Sequence, residues 1–186
     1  MSDDREIKII FTGPMGAGKT TAIRAISDKP PVSTEVANTD QARVAKATTT
    51  VAMDYGQMVL EDGTAVNLYG TPGQERFSFM WEILCRGALG VVLLIDGSTA
   101  TALADLETYA EAFRKFNAQQ PFVIGVGRVP EDDPGLDEYA RTLAARGIVA
   151  PVFGVDVRKR DDVLLLIDTL LCVLEAHTFE AAHAAH

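Results

Sequence analysis

The segment GPMGAGKT, residues 13–20, constrains the fold more than any other part of the sequence. It matches G-x-x-x-x-G-K-[ST] and stands between a short β-branched run, EIKIIFT (6–12), and a helical pattern, TTAIRAI. A strand, a Gly-rich turn and a helix in that order form a cradle for phosphate. The glycines let backbone N–H groups turn inward, and the helix N-terminus adds a favourable dipole. Gly13, Met15, Gly16, Ala17 and Gly18 would line this cradle, with Thr21 behind it on the helix. Lys19 would reach the β- and γ-phosphates of a nucleotide, and Thr20 would place its hydroxyl on Mg²⁺.

Downstream, strand and helix patterns alternate. A long polar segment, 28–46, precedes TVAMDYGQMVLE, and Asp62-Gly63 turns the chain into AVNLY, which predicts an antiparallel hairpin. A short helix follows over about 78–86. GALGVVLLID is a continuous apolar run suited to a strand covered on both faces. Leu103, Leu106, Tyr109, Ala110, Phe113 and Phe116 recur at helical spacing. PFVIGV reads as another buried strand, Leu136, Tyr139, Leu143 and Ala144 mark a helix, and PVFGV leads into an apolar helix starting near Asp161. No repeat, linker or composition break divides the chain, so residues 1–186 read as one domain. The order β-α-β-β-α-β-α-β-α-β-α predicts an α/β fold with three α/β/α layers. Its sheet is expected to be mainly parallel and six-stranded, with one antiparallel edge strand. Ligands of such sheets sit at the carboxyl ends of the strands.

Composition narrows the partners. The chain of 186 residues is 47% hydrophobic and 23% charged, an ordinary globular balance, and its net charge of −9 repels nucleic acid and anionic lipid. No secretory signal, myristoylation site, prenylation box or membrane-length apolar run is present in the sequence, so a cytoplasmic protein without a membrane anchor is expected. Cys85 and Cys172 lack metal or redox spacing and read as buried free thiols. His177, His183 and His186 gather in the tail without a carboxylate or Cys pattern, and read as a frayed polar end rather than a metal site.

Two further segments choose among nucleotide-binding classes. TTTVAMDYG (48–56) and GTPGQERF (70–77) resemble the first and second switches of small Ras-like GTPases, within the P-loop GTPase superfamily. The T-P-G-Q-E form is similar to that of bacterial Ras-like proteins of the MglA type. The resemblance runs nearly the full length and implies a small-GTPase-like G domain. Aligning Asp54-Tyr55 with the Asp-Phe of T-x-x-x-D-F makes Thr50 the second Mg²⁺ hydroxyl, with Thr49 as the alternative. It also implies that the Gly73 N–H holds the γ-phosphate and that Gln74 orients the attacking water. The implied ligands are GTP and GDP with Mg²⁺, and the implied partners are a roadblock/longin-type regulator and an effector. The implied reaction is slow hydrolysis of GTP to GDP and phosphate, which sets the conformation of the switch loops.

The sequence departs from that pattern at four places. Gly70 stands where a magnesium-supporting Asp is usual, and Met15 where many relatives have Gly. The base-reading N-K-x-D is replaced by Gly127, Arg128, Val129 and Pro130. Arg128 could cover a base, while a carboxylate from Glu131, Asp132 or Asp133 would require a shifted loop. Asp156, Val157 and Arg158 stand where S-A-K normally supports the base. A charge-stabilising Arg could come from Arg43, from Arg76 or from a partner. These departures leave two rivals to the GTPase reading: a non-hydrolysing scaffold, and a P-loop ATPase or kinase. On the helix after the second switch, Phe77, Met80, Trp81 and Leu84 share one face while Phe79 and Ile83 share another, which could dock an effector.

Overall fold

A computed structural model describes residues 7–36, 51–116, 120–130 and 132–184. The first strand, β1 (Ile7–Thr12), enters the phosphate loop and continues into α1 (Lys19–Ile26). A strand drawn from the polar segment, β2 (Val32–Val36), is followed by the hairpin β3 (Val51–Val59) and β4 (Ala65–Gly70). A 3-10 turn (Glu75–Phe77) opens α2 (Ser78–Cys85). Then come β5 (Gly90–Asp96), α3 (Ala102–Phe116), β6 (Phe122–Gly127), α4 (Leu136–Ala144), β7 (Val152–Val155) and α5 (Arg160–Ala184).

The described strands form one sheet in the order β2-β3-β4-β1-β5-β6-β7. Five of them, β4, β1, β5, β6 and β7, pair in parallel, and β3 runs antiparallel to β4. The expected α/β class and three layers are present. The sheet has a seventh strand: β2 pairs antiparallel with the outer edge of β3, so the reversed strand lies one position inside the sheet. An open β3 edge would leave a row of backbone groups unpaired, and β2 satisfies them.

Strand alternation divides the core in two. Ile10, Val91, Leu93 and Ile95 face α2, α3 and α4, where they meet Trp81, Leu106, Tyr109, Phe113 and Leu143. Ile9, Phe11, Val92 and Leu94 face α1 and α5, where they meet Ile23, Ile26, Val163, Leu166 and Leu170. The continuous apolar run of β5 is thus buried on both sides, as its sequence predicts. On α2 the two apolar faces part company: Met80, Trp81 and Leu84 enter the core, while Phe79 and Ile83 are exposed. Cys85 is buried as expected, and burial pushes its thiol up to about 12. Cys172 corrects the sequence reading, because it is exposed. The core face of α5 carries Val163, Leu166, Ile167 and Leu170, and a residue two places beyond Leu170 points away from it.

Candidate functional site

The carboxyl ends of β1, β4, β5, β6 and β7, together with Asp54 in the amino-terminal half of the antiparallel β3, surround a cleft of about 1040 Å³. Its floor is the phosphate loop. Gly13 has φ of 133°, and a Cβ there would fall 2.0 Å from the Leu94 carbonyl oxygen, so only glycine lets the loop leave β1 against β5. Lys19 is buried, and its Nζ donates to the carbonyls of Gly13 and Pro14, each at 2.7 Å. Burial lowers its pKa from 10.5 to about 8, against a smaller upward pull from Asp54. An ammonium curled onto its own loop and short of counter-charge is suited to an incoming anion.

One wall is the β4 exit. Thr71 donates its N–H to the Phe11 carbonyl and shares a 2.9 Å hydrogen bond between its hydroxyl and that of Thr12. Gly73 presses on the phosphate loop so closely that a Cβ on it would lie 2.6 Å from the Met15 nitrogen and 2.8 Å from Lys19 Nζ. Gln74 follows, its Nε2 donating to the Met15 sulfur at 3.8 Å.

The wall at β3 carries a group that the motif reading assigned no chemical role. Asp54 pairs with Gly70 across the β3–β4 ladder, and its Oδ2 accepts a hydrogen bond from the Thr20 hydroxyl. A Cβ at Gly70 would stand 3.0 Å from the Asp54 Cβ and 3.3 Å from its Oδ2. The Asp54 carboxylate thus lies against the space that a side chain at position 70 would enter. The hairpin loop is centred on Asp62, with Leu60 and Thr64 bonded across it, and this register sets Asp54 opposite Gly70, whereas counting outward from the Asp62-Gly63 pair alone would set it opposite Thr71. Asp96 was likewise passed over, although it ends the buried run of β5 at the ligand end of the sheet.

The far end of the cleft is built from the β6 and β7 exits. Arg128 has φ of 59°, and its guanidinium spans from the Asp96 carboxylate to the Gly16 carbonyl, 3.3 Å away. Opposite, Arg158 holds Asp156 through Nε at 2.8 Å and through a second nitrogen at 2.7 Å. Those hydrogen bonds keep the Asp156 carboxyl at about 2, below the usual range. Val157 lies over the loop, its Cγ2 only 2.7 Å from where a Gly18 Cβ would be.

Most of the described residues singled out from sequence as nucleotide ligands meet around one cleft. Met15, Gly16, Ala17, Gly18, Lys19, Thr20 and Thr21 line it beside Gly73, Gln74, Arg76, Arg128, Asp156, Val157 and Arg158. Gly13 contributes its carbonyl beneath Lys19. Arg43, Thr49, Thr50 and Glu131 lie outside the described residues, as do the side chains of His177 and His183 and the whole of His186. Asp132 and Asp133 are described but do not line the cleft, and Asp133 Oδ1 accepts the Gly135 N–H at 2.8 Å.

A family model described as "conserved hypothetical ATP binding protein" matches residues 31–142. An uncharacterized protein of Methanocaldococcus jannaschii is 30% identical over 102 residues, which cover 55% of this chain and 58% of that protein. Ras-related protein Rab-7B of Dictyostelium discoideum is 29% identical over 133 residues, 69% of this chain and 59% of its own length. GTP-binding protein ypt2 of Schizosaccharomyces pombe is 25% identical over 129 residues, 68% of this chain and 58% of its own length. The chain therefore spans less than two thirds of each of these relatives.

Proposed function

The chain belongs to the family described as conserved hypothetical ATP binding protein, and from that premise we propose that it is a GTPase-like nucleotide switch. On this reading residues 1–186 form one G domain that binds GTP and GDP with Mg²⁺ and hydrolyses GTP slowly. The observation that carries it is the convergence of Lys19, Gly73 and the Thr20–Asp54 pair on one end of the cleft. The ypt2 relative, named as GTP-binding, supports GTP over other phosphates.

Each residue then has a role. The loop N–H groups and Lys19 hold the phosphate chain, and the Gly73 N–H meets the terminal phosphate. Gln74 orients the attacking water, and Lys19 offsets charge as the bond to the terminal phosphate breaks. Arg43 or Arg76, or an Arg from a partner, adds the charge stabilisation that speeds this step; without it, turnover is about 10⁻⁴ to 10⁻³ s⁻¹. The oxygen donors Thr20 and Asp54 fit Mg²⁺, which favours hard oxygen ligands and keeps several waters. Thr20 and Thr50 would hold it by hydroxyl, with Asp54 orienting its water shell. When bound, Mg²⁺ neutralises phosphate charge. Arg128, Asp156, Val157 and Arg158 border the base. Switch movement signals to a roadblock/longin-type regulator and to an effector docking on the exposed Phe79 and Ile83 face of α2.

Single-turnover phosphate release from GTP tests hydrolysis. The protein is expected to exceed its Gln74→Leu variant by about tenfold or more. Equal rates would sink the enzyme and leave a nucleotide-binding scaffold. A second reading, an adenine nucleotide, is favoured by the family description and by Pro130 standing where a guanine-binding Asp is usual.

A further inference from the structure

Two buried aromatic side chains hold the segment between β4 and the 3-10 turn. Trp81 of α2 donates its indole N–H to the Pro72 carbonyl at 2.9 Å, and Tyr109 of α3 donates its hydroxyl to the Gly73 carbonyl at 2.8 Å. The two rings lie 4.7 Å apart, and Phe113, one turn along α3 from Tyr109, stacks with Trp81 at 5.6 Å. Both residues are almost fully buried, so the positions of their polar atoms are set by core packing.

The consequence follows from peptide geometry. In a trans peptide the C=O and the next N–H point in opposite directions, and no cis bond occurs among the described residues. With the Pro72 carbonyl turned to Trp81, the Gly73 N–H must point away from the aromatic cluster. With the Gly73 carbonyl turned to Tyr109, the Gln74 N–H must do the same. Gly73 sits against Met15 and Lys19, so that side is the phosphate loop.

We infer that Tyr109 and Trp81 are positioning residues that fix the Pro72–Gln74 peptides with their N–H groups toward a terminal phosphate, and thereby set the preference for a nucleoside triphosphate over the diphosphate. This rests on the proposed reading of the cleft as a nucleotide site. The chemistry recognised is a γ-phosphate anion, which two adjacent N–H donors beside an ammonium suit. A diphosphate ends short of these donors and gains nothing from their orientation. The same hydrogen bonds tie the Pro72–Gly73 segment, which lies against the phosphate loop, to α2 and α3, so occupancy of the terminal phosphate site bears on the sole tryptophan of the chain.

The test compares GTP, in a non-hydrolysable form, with GDP on the full chain and on Tyr109→Phe and Trp81→Phe. Each substitution keeps an aromatic ring and deletes one donor, and thermal unfolding checks that each variant is folded. The expected result is a fall of about fivefold in the triphosphate-to-diphosphate affinity ratio for each variant, the worth of one hydrogen bond. In the Tyr109→Phe protein, the Trp81 emission change that the triphosphate induces should also shrink. An unchanged ratio, or an equal loss for both nucleotides, would overturn the inference while leaving the nucleotide site intact. Failure of the unsubstituted chain to bind either nucleotide would instead overturn the underlying reading, and the inference with it.

Discussion

Asp54 and Gly70 face each other across the β3–β4 ladder, and the Asp54 carboxylate accepts the Thr20 hydroxyl that opens α1. The pair places a carboxylate from β3 beside Gly70 and against the first turn of α1. A glycine at 70 leaves room that a side chain would dispute, since its Cβ would lie 3.0 Å from both the Asp54 Cβ and the Ile23 Cδ1.

Asp54→Asn is therefore expected to raise the Mg²⁺ concentration needed for tight nucleotide binding by about tenfold to a hundredfold, as loss of a metal-orienting partner does. Gly70→Asp alone should not help, because it meets the existing side chain. Combined with Asp54→Ala, it should recover part of the loss. Titrating Mg²⁺ against labelled-nucleotide retention checks this; an Asp54→Asn protein with unaltered Mg²⁺ dependence contradicts it.

Lys19 predicts a pH dependence. Its folded pKa is about 8 against 10.5 for the free side chain, with burial as the main cause. Between those values the unfolded chain holds more protons, so this residue's contribution to ligand-free stability rises with pH across that window. Phosphate binding has the opposite sign. An anion favours the charged ammonium and raises its pKa, so binding takes up a proton above about pH 8. Nucleotide affinity should be flat with respect to this group below about pH 8 and weaken above it, by up to about tenfold per pH unit. Lys19→Met should bind weakly and lose the bend. Affinities measured across about pH 7 to 9.5 decide it.

Met15 predicts a brake on hydrolysis. Its side chain is 74% exposed at the mouth of the loop, and its sulfur accepts the Gln74 amide at 3.8 Å. Met15→Gly should free Gln74 and raise single-turnover phosphate release by about tenfold, the scale on which misplacement of a reacting group costs rate. A rate equal to or below that of the unsubstituted protein would show that the thioether does not restrain Gln74.

Arg128 separates base from phosphate recognition. Its guanidinium lies between Asp96 and the Gly16 carbonyl at the far end of the cleft from Gly73. Arg128→Ala should weaken nucleoside diphosphate binding about two- to fivefold, as expected for loss of a cation over a ring at an exposed site. Tripolyphosphate, which has no base, should bind as before. Equal weakening of both would place Arg128 among the phosphate ligands.

Legibility in the sequence followed the range of the interactions. The loop 13–20, the β5 run and the hairpin are encoded locally, by glycine placement, by a continuous apolar run and by a turn dipeptide, and each appears where its residues predict. β2 is different. VSTEV lies in a polar segment after two prolines, and what makes it a strand is the open edge of β3, formed by residues some twenty positions away in sequence. The site divides in the same way. Motif spacing marks Lys19, Thr20 and Gly73, whereas Asp54 and Asp96 enter through strand pairing, and Trp81 and Tyr109 through helix packing across the sheet. A lone tryptophan and a tyrosine in an apolar helix face did announce that their polar atoms would need buried partners. Only the tertiary structure shows that those partners are the carbonyls of Pro72 and Gly73.

Competition measures most directly whether the cleft binds a guanine nucleotide with Mg²⁺. Labelled GDP would be displaced by unlabelled GDP or ADP, with Mg²⁺ present and after chelation. Displacement by GDP is expected at far lower concentration than by ADP, with weaker retention of the label without Mg²⁺. Equal displacement by the two nucleotides, or a label that does not bind under either condition, would contradict the guanine-nucleotide reading.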